Sequence, residues 1–390
     1  MNRARSTAMA TACVLALALS AAGTTSASAS PGHTPATNST ASNAFQAPSG
    51  LPRPTGPHAV GRSILHLVDE HRQDPWVPSA GARQLMVSMY YPARPRTGGP
   101  APYMTEDEAR LLLQEKVPGS PFPAEKIAEF RTWARSDAAP AGGRFPLVVL
   151  SPGFTLPRAT LGGLAEDLAS RGYVVALVDH TYESSGTTFP DGRTLPCAIC
   201  DRPPAGGRAG IEESRAKDVS FVLDQLTGRH PAWRHARMID AGRIAMAGHS
   251  IGGAAGAVTM AADHRVRAGI NLDGTFFAPV PDNGLDGRPF LMFGEQTSDQ
   301  DDTWNAAWSH LNGWKRWLSV AGSDHGTFTD LPLLASLVGA PSAGGLTPQR
   351  SEQLTRTYVA AFLDLHLKGI PQPLLDGPSA ADPEVTVRLP

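Results

Sequence analysis

From Arg144 onward, short runs of consecutive apolar residues alternate with longer stretches whose apolar positions recur every three or four residues. The short runs are 145–150, 173–178, 244–247 and 289–293, and 268–272 and 314–320 are strand-like stretches interrupted by Asn271 and by Lys315, Arg316 and Ser319. A strand covered by helices on both faces reads as such an unbroken apolar run. The intervening periodic stretches predict helices at about 158–171, 211–226, 251–262 and 348–368, and the last three strands are each expected to lead into a loop and a helix. Repeated strand–helix units of this kind predict an α/β protein with a mostly parallel, doubly wound sheet and helices on both faces. Chemistry in such sheets gathers at the carboxyl ends of the strands.

Ahead of Arg144 the pattern differs. Residues 63–69 and 84–91 are strand-like runs separated by a loop carrying Pro75 and Pro78, and they predict an antiparallel pair at the sheet edge. Thr105 followed by Glu106, Asp107 and Glu108 marks the start of a helix over 106–116. A second helix is expected over 124–136, and the two together are expected to shape one wall of an active site. Residues 30–60 are rich in Ser, Thr, Pro, Ala and Gly, and predict a disordered linker. The folded catalytic domain is then expected over 61–390.

Residues 1–29 have the pattern of a secretory signal peptide. Arg3 and Arg5 precede an apolar core over 9–22 that is too short to span a bilayer, and Ala27-Ser28-Ala29 offers a cleavage site. Cys13 would be lost with it. The remaining cysteines, Cys197 and Cys200, stand in Cys-Ala-Ile-Cys. In an oxidising compartment that spacing favours a local disulfide bracing a loop. A zinc site would need two further ligands at metal spacing, which no nearby residues supply. No metal or cofactor is expected.

The chain of 390 residues is 41% hydrophobic and 18% charged, with a formal net charge of −2 and no long like-charge run. A nucleic-acid partner is therefore not expected. A monomer is expected, with a small-molecule or lipid ester as partner and at most transient contact with a lipid surface.

The chemistry centres on Gly248-His249-Ser250-Ile251-Gly252. With 39 glycines in the chain, a bare G-x-S-x-G arises by chance roughly 0.3 times, so the pentapeptide alone decides little. Its context decides more. An apolar strand leads into it and a small-residue helix leads out, as a nucleophile elbow requires. The elbow places the Ser250 hydroxyl at its apex and the amide of Ile251 at a helix start, where it can stabilise an oxyanion.

A serine hydroxyl needs a base and an orienting acid, expected downstream in the order Ser, acid, His. His264 lies in the polar turn directly after the elbow helix, and His310 and His366 sit within helix patterns. His325, in Gly322-Ser-Asp-His-Gly326 after the final apolar run, is the candidate base. Two acids compete. Asp273 ends the strand 268–272 and precedes Gly274, while Asp299 lies in the acidic stretch 295–302 after the following strand. Asp273 is favoured because it is isolated, with Phe276 and Phe277 nearby to exclude water. A dense acidic run is more often a solvated loop. The loop Ser151-Pro-Gly-Phe-Thr155 follows the first buried strand, so the Phe154 amide is the natural second oxyanion donor. Phe276, Phe277 and Trp304 are candidate pocket walls, as are Phe154 and Trp308, with core packing the competing reading for each.

These residues together resemble the α/β-hydrolase family of platelet-activating-factor acetylhydrolases, of the plasma and intracellular type II kind. The likeness covers most of 60–370. It includes the first strands with Asp69 and Arg72, the Phe154 loop, and Ala169-Ser-Arg-Gly-Tyr-Val-Val-Ala176 followed by Asp179-His180. It continues through Gly248-His-Ser-Ile-Gly-Gly253, Asn271-Leu-Asp-Gly274 and Gly322-Ser-Asp-His325. The resemblance implies an acid directly after the strand that follows the elbow helix, which lands on Asp273. It likewise implies Ser250 as nucleophile, His325 as base, and Phe154 and Ile251 as oxyanion amides. The chain departs from that family at Ser151-Pro152-Gly153, where the acetylhydrolases usually show His-Gly. The Ser-Pro-Gly-Phe-Thr form is similar to secreted actinobacterial lipases and cutinases, which place the acid in the later loop.

The expected function is that of a secreted serine carboxylic-ester hydrolase working through an acyl-enzyme. Polyester or triacylglycerol hydrolysis is the first alternative. A peptidase or acyltransferase would use the same triad, and a silent binding protein on the same scaffold is the rival from another class.

Overall fold

The computed structural model describes residues 48–202, 204–341 and 344–389. The expected signal peptide and residues 30–47 of the expected linker lie outside them. The remainder of that linker is not a linker. Leu51 is 1% exposed, and its amide donates to the Arg131 carbonyl at 2.8 Å. The Thr55 amide donates to Asp167 at 2.7 Å, and the His58 amide to the Ser170 carbonyl at 3.0 Å. These polar residues are ordered by backbone pairing to distant parts of the chain, which composition does not reveal.

Strands β1 (Ala59–Gln73) and β2 (Ala82–Ala93) form a long antiparallel pair, extending the two predicted runs at both ends. The short β3 (Gly99–Pro100) precedes α1 (Glu106–Lys116) and α2 (Ala124–Ala128), and β4 (Arg135–Ser136) follows. Helix α1 begins where expected, through a capping box in which Thr105 and Glu108 each satisfy the other's amide. The second predicted helix stops at Ala128, and the chain turns into an edge strand instead. The reason is backbone pairing, since the amides of Trp133 and Ala134 donate to the buried Glu166 carboxylate.

The alternating part then runs β5 (Phe145–Ser151), α3 (Gly162–Ser170), β6 (Val174–His180), the small hairpin β7 (Gly186–Thr188) and β8 (Thr194–Pro196), and α4 (Gly207–Thr227). It continues with β9 (Ile239–His249), α5 (Ile251–Ala262), β10 (Val266–Leu272), β11 (Phe290–Glu295), α6 (Asp302–His310) and β12 (Lys315–Val320). Helices α7 (Leu331–Val338) and α8 (Pro348–Lys368) precede a last strand, β13 (Val385–Arg388). One expectation fails here, since no helix separates β10 from β11. After α8, β13 adds an antiparallel edge strand on β12.

Eleven strands form one sheet in the order β13-β12-β11-β10-β9-β5-β6-β2-β1-β4-β3. The six from β12 to β6 are parallel, as the unbroken apolar runs imply. Alternate residues of each strand serve opposite faces. Leu147 and Val149 of β5 pack with α4 and α5 through Val222, Leu223, Ala254 and Met260. Val148 and Leu150 pack with α3 and α8 through Leu164, Leu168, Tyr358 and Phe362. This is an α/β-hydrolase fold. Strand order reverses around β5, which lies between β6 and β9, so a crevice opens where β5 and β9 end. Ser151 and Ser250 stand at those two ends.

Candidate active site

Ser250 lies between β9 and α5 with φ 56° and ψ −133°, a region that side chains rarely occupy. Its amide donates to the Leu272 carbonyl at 2.7 Å, and its carbonyl accepts from the Gly253 amide at 2.8 Å. The glycines on either side make the turn affordable in space. A Cβ on Gly248 would stand 2.6 Å from the Ser151 carbonyl oxygen and closer still to Gly252. Such a Cβ cannot be accommodated without moving backbone.

The Ser250 hydroxyl lies 2.9 Å from Nε2 of His325. Nδ1 of His325 lies 2.6 Å from Oδ2 of Asp273. The Asp273 carboxylate accepts at Nδ1–H, which leaves Nε2 as the acceptor for the Ser250 proton. Oδ1 of Asp273 accepts from the Glu295 amide at 2.8 Å. Asp273 is 8% exposed and itself has φ 58°. Asn271 stabilises this turn, since its side-chain amide donates to the Gly274 carbonyl at 2.7 Å and its oxygen accepts from the Gly274 amide at 2.9 Å. Burial opposes protonation of His325. The hydrogen bond and charge of Asp273, reinforced by Glu295 and Asp324, outweigh burial and raise its pKa above the usual histidine value.

The rival acid lies elsewhere. Asp299 is exposed on a short 3-10 turn after β11. Its neighbour Asp301 is occupied in capping α6, through the Thr303 amide at 2.7 Å.

The amides of Phe154 and Ile251 donate to no protein group among the described residues. Their side chains share a small apolar cluster with Ile199, Ile211, Trp76 and Cys197. Cys197 is bonded to Cys200, so the braced loop places Ile199 and Cys197 against the two residues that carry the free amides.

The pocket expectation needs correction. Phe276 and Trp304 are 3% and 2% exposed and pack in the core, with Phe276 beside Phe290 and Trp304 beside Trp317. Trp304 Nε1 donates to the Gly274 carbonyl at 2.8 Å, so the ring braces the Asp273 turn from behind. Trp308 likewise stacks on Trp317. Phe277 is at the surface beneath the Arg208 guanidinium, 5.2 Å from its ring centroid. The apolar wall beside the amides comes instead from Trp76, Phe154, Ile199, Ile211 and Ile251.

Sequence reasoning passed over His249, the variable residue of the pentapeptide. It is buried, its Nε2–H donates to the His325 carbonyl at 2.6 Å, and the two rings lie 4.6 Å apart. Burial, with the nearby His325, lowers its pKa to about 3, so it stays neutral. Its position next to the serine was the available signal. Among the described residues no group of three or more His, Cys, Asp or Glu is arranged to hold a metal ion.

The family model described as platelet-activating factor acetylhydrolase, isoform II, matches residues 43–192 and 223–369. The chain belongs to that family. A probable 1-alkyl-2-acetylglycerophosphocholine esterase from Arthroderma benhamiae is 30% identical over 372 residues, covering 86% of this chain and 92% of the relative. A ferulic acid esterase structure from Streptomyces cinnamoneus is 44% identical, with a TM-score of 0.78, covering 87% of this chain and 98% of that one. A bis(hydroxyethyl) terephthalate hydrolase from Streptomyces coelicolor is 33% identical over 111 residues, or 28% of this chain and 27% of the relative. As a member of the acetylhydrolase family with these esterase relatives, the chain is a carboxylic-ester hydrolase.

Proposed function

We propose that this acetylhydrolase-family protein is a secreted serine esterase that uses Ser250 as nucleophile, His325 as general base and acid, and Asp273 as the orienting carboxylate. The observation that carries the reading is the hydrogen-bonded series Ser250–His325–Asp273 at the apex of a strained elbow. Ser250 Oγ attacks the ester carbonyl while its proton passes to His325 Nε2. The resulting imidazolium is stabilised by the Asp273 carboxylate. The tetrahedral oxyanion takes hydrogen bonds from the amides of Ile251 and Phe154, which have no other partner among the described residues. His325 then gives the proton to the leaving alcohol, and the C–O bond breaks to leave an acyl-Ser250. Water, deprotonated by the same histidine, releases the acid and restores the serine.

The substrate class proposed first is a short-acyl ester of a lipid alcohol, as in the acetylglycerophosphocholine named for the fungal relative. An aryl ester is the second reading, favoured by 44% identity to a ferulic acid esterase. Export is supported by the leader-like pattern of residues 1–29 and by the Cys197–Cys200 bond, which suits an oxidising compartment.

Ser250→Ala tests the reading with p-nitrophenyl acetate, 1-alkyl-2-acetylglycerophosphocholine, methyl ferulate and a triglyceride as substrates. Turnover of every ester should fall to background in a folded variant. Retained turnover would remove Ser250 from the mechanism, and the wild-type rate order chooses between the two substrate classes.

A further inference from the structure

A second Ser–His–Asp series lies directly beneath the first. Ser151 Oγ is 3.0 Å from Nε2 of His180, and Nδ1 of His180 is 2.7 Å from Oδ2 of Asp218. The connectivity repeats that of Ser250, His325 and Asp273, but the surroundings do not. Ser151, His180 and Asp218 are each 1% exposed or less. Ser151 Oγ also accepts from Nη1 of Arg215 at 3.2 Å. A hydroxyl that is buried and engaged on both sides has no access to an ester carbonyl.

The polarity of this series is set by its neighbours. Burial, with the positive charge of Arg215, lowers the His180 pKa and keeps the ring neutral. Burial opposes ionisation of Asp218, yet Arg83, His180 and Arg72 hold it well below the usual carboxylate range. The His180 Nδ1–H therefore donates to Asp218, and its Nε2 accepts the Ser151 proton. The series is closed by ion pairs joining Arg72, Arg83 and Arg215 to Asp69, Asp74, Glu183 and Asp218, three cations against four anions. Buried charges are tolerated when they are paired and hydrogen-bonded in this way.

What the network grips is the loop that carries the second oxyanion amide. Ser151 is the last residue of β5, in register with Gly248 of the elbow strand. Arg215 Nη1 also donates to the Pro152 carbonyl, while Arg215 Nε donates to Glu183 at 2.7 Å. The main-chain carbonyl of Glu183 accepts from the Thr155 amide at 2.9 Å, and the Gly153 carbonyl accepts from the Leu156 amide at 3.2 Å. No peptide here is cis, so the Phe154 N–H points opposite to the Gly153 carbonyl. With the carbonyls of Pro152 and Gly153 and the amide of Thr155 all held, the Phe154 amide is the group left free.

We propose that Ser151, His180, Asp218 and Arg215 form a positioning device that fixes the Ser151–Phe154 loop so that the Phe154 amide is ready for the oxyanion. This rests on the reading of Ser250 as nucleophile given above. The four residues are positioning residues, and none of them touches substrate. Preorganised donors of this kind act in the transition state more than on ground-state binding.

The test uses the full chain with Ser151→Ala, Arg215→Lys and Arg215→Met, assayed on p-nitrophenyl acetate. Inhibition by phenylboronic acid is measured in parallel, because its tetrahedral adduct on Ser250 presents an oxygen to the same amides. Ser151→Ala should lower kcat by about 10- to 100-fold, less than deletion of an oxyanion donor outright, with KM within about twofold. Phenylboronate affinity should weaken by a matching factor, and the acid-limb pKa of the rate profile should not move. Arg215→Lys should retain more kcat than Arg215→Met. Wild-type kcat and boronate affinity in folded Ser151→Ala would overturn the proposal, as would a loss confined to KM or a shifted acid limb. If the alanine variant does not fold, Ser151→Cys decides by the same readouts. Ser250→Ala is run alongside: turnover there removes the nucleophile assignment itself, whereas an inactive Ser250→Ala beside a fully active Ser151→Ala removes only the positioning claim.

Discussion

His249 donates through Nε2–H to the main-chain carbonyl of His325, so the residue before Ser250 holds the loop that carries His325. The contact is 2.6 Å long and part-buried, and the rings lie 4.6 Å apart. His249→Phe keeps a ring of similar breadth and removes the donor. We expect kcat on p-nitrophenyl acetate to fall by about tenfold, in line with one lost hydrogen bond of about 1–2 kcal/mol. The acid limb of the rate profile should stay in place, because His249 does not titrate near neutrality.

The acid limb itself is predicted to follow His325. Its pKa is raised above 6.5, and only the neutral imidazole can take the Ser250 proton. Activity should therefore be full at alkaline pH and fall as pH drops through a value above 6.5. Asp273→Asn removes the charge that raises it, so the limb should move to lower pH while kcat drops roughly a thousandfold or more. Asp299→Asn should change neither, since that carboxylate is exposed and away from His325. A pH–rate series on the two variants separates the acids.

The buried His249 and the half-buried His366 should each lower stability in acid. His366 packs between Trp314 and Phe362, and burial with nearby Arg316 lowers its pKa to about 4. That of His249 is lowered to about 3. Above about 6.5 both the folded and unfolded chains hold these rings neutral, and no linkage arises. Below 6.5 the unfolded chain takes protons that the folded chain refuses, so stability falls, down to about pH 4 for His366 and pH 3 for His249. The urea midpoint of the wild type relative to that of His366→Leu should decline from pH 7 to pH 4.5.

Gly252 is the tightest point between the elbow helix and the oxyanion loop. A Cβ there would stand 2.6 Å from the Pro152 carbonyl oxygen and nearer still to that of Ser151. Gly252→Ala must push the two apart, at a cost of about 1–3 kcal/mol in stability. Because the shift displaces the Phe154 amide, kcat should fall by more than about tenfold with little change in KM. Thermal unfolding and kinetics on the same preparation check both halves.

Much of this site is legible in the sequence because its demands are local. The elbow needs glycines beside Ser250, buried parallel strands need unbroken apolar runs, and α1 and α8 carry their caps at Thr105 and Thr347. Chain order then brings Asp273 to the end of β10 and His325 to the loop after β12, with only β11 between those strands. What stayed illegible depends on distant partners. Residues 48–58 are mostly polar or proline, and burial of Leu51 with pairing to Arg131, Trp133, Asp167, Ser170 and Arg356 orders them. Residues 129–136 have helical composition, but Glu166 captures the amides of Trp133 and Ala134. Phe276 follows Asp273 closely enough to suggest a pocket wall, yet its ring packs in the core beside Phe290, and Trp304 on α6 packs behind the same turn. The Ser151–His180–Asp218 series joins residues from β5, β6 and α4, and no spacing along the chain announces it.

The most direct test of the account is covalent labelling by a fluorophosphonate, followed by peptide mapping of the wild-type chain. One label per chain on Ser250 is predicted, lost in Ser250→Ala together with ester turnover. A label on another residue, or no label in a chain that still hydrolyses p-nitrophenyl acetate, would contradict it.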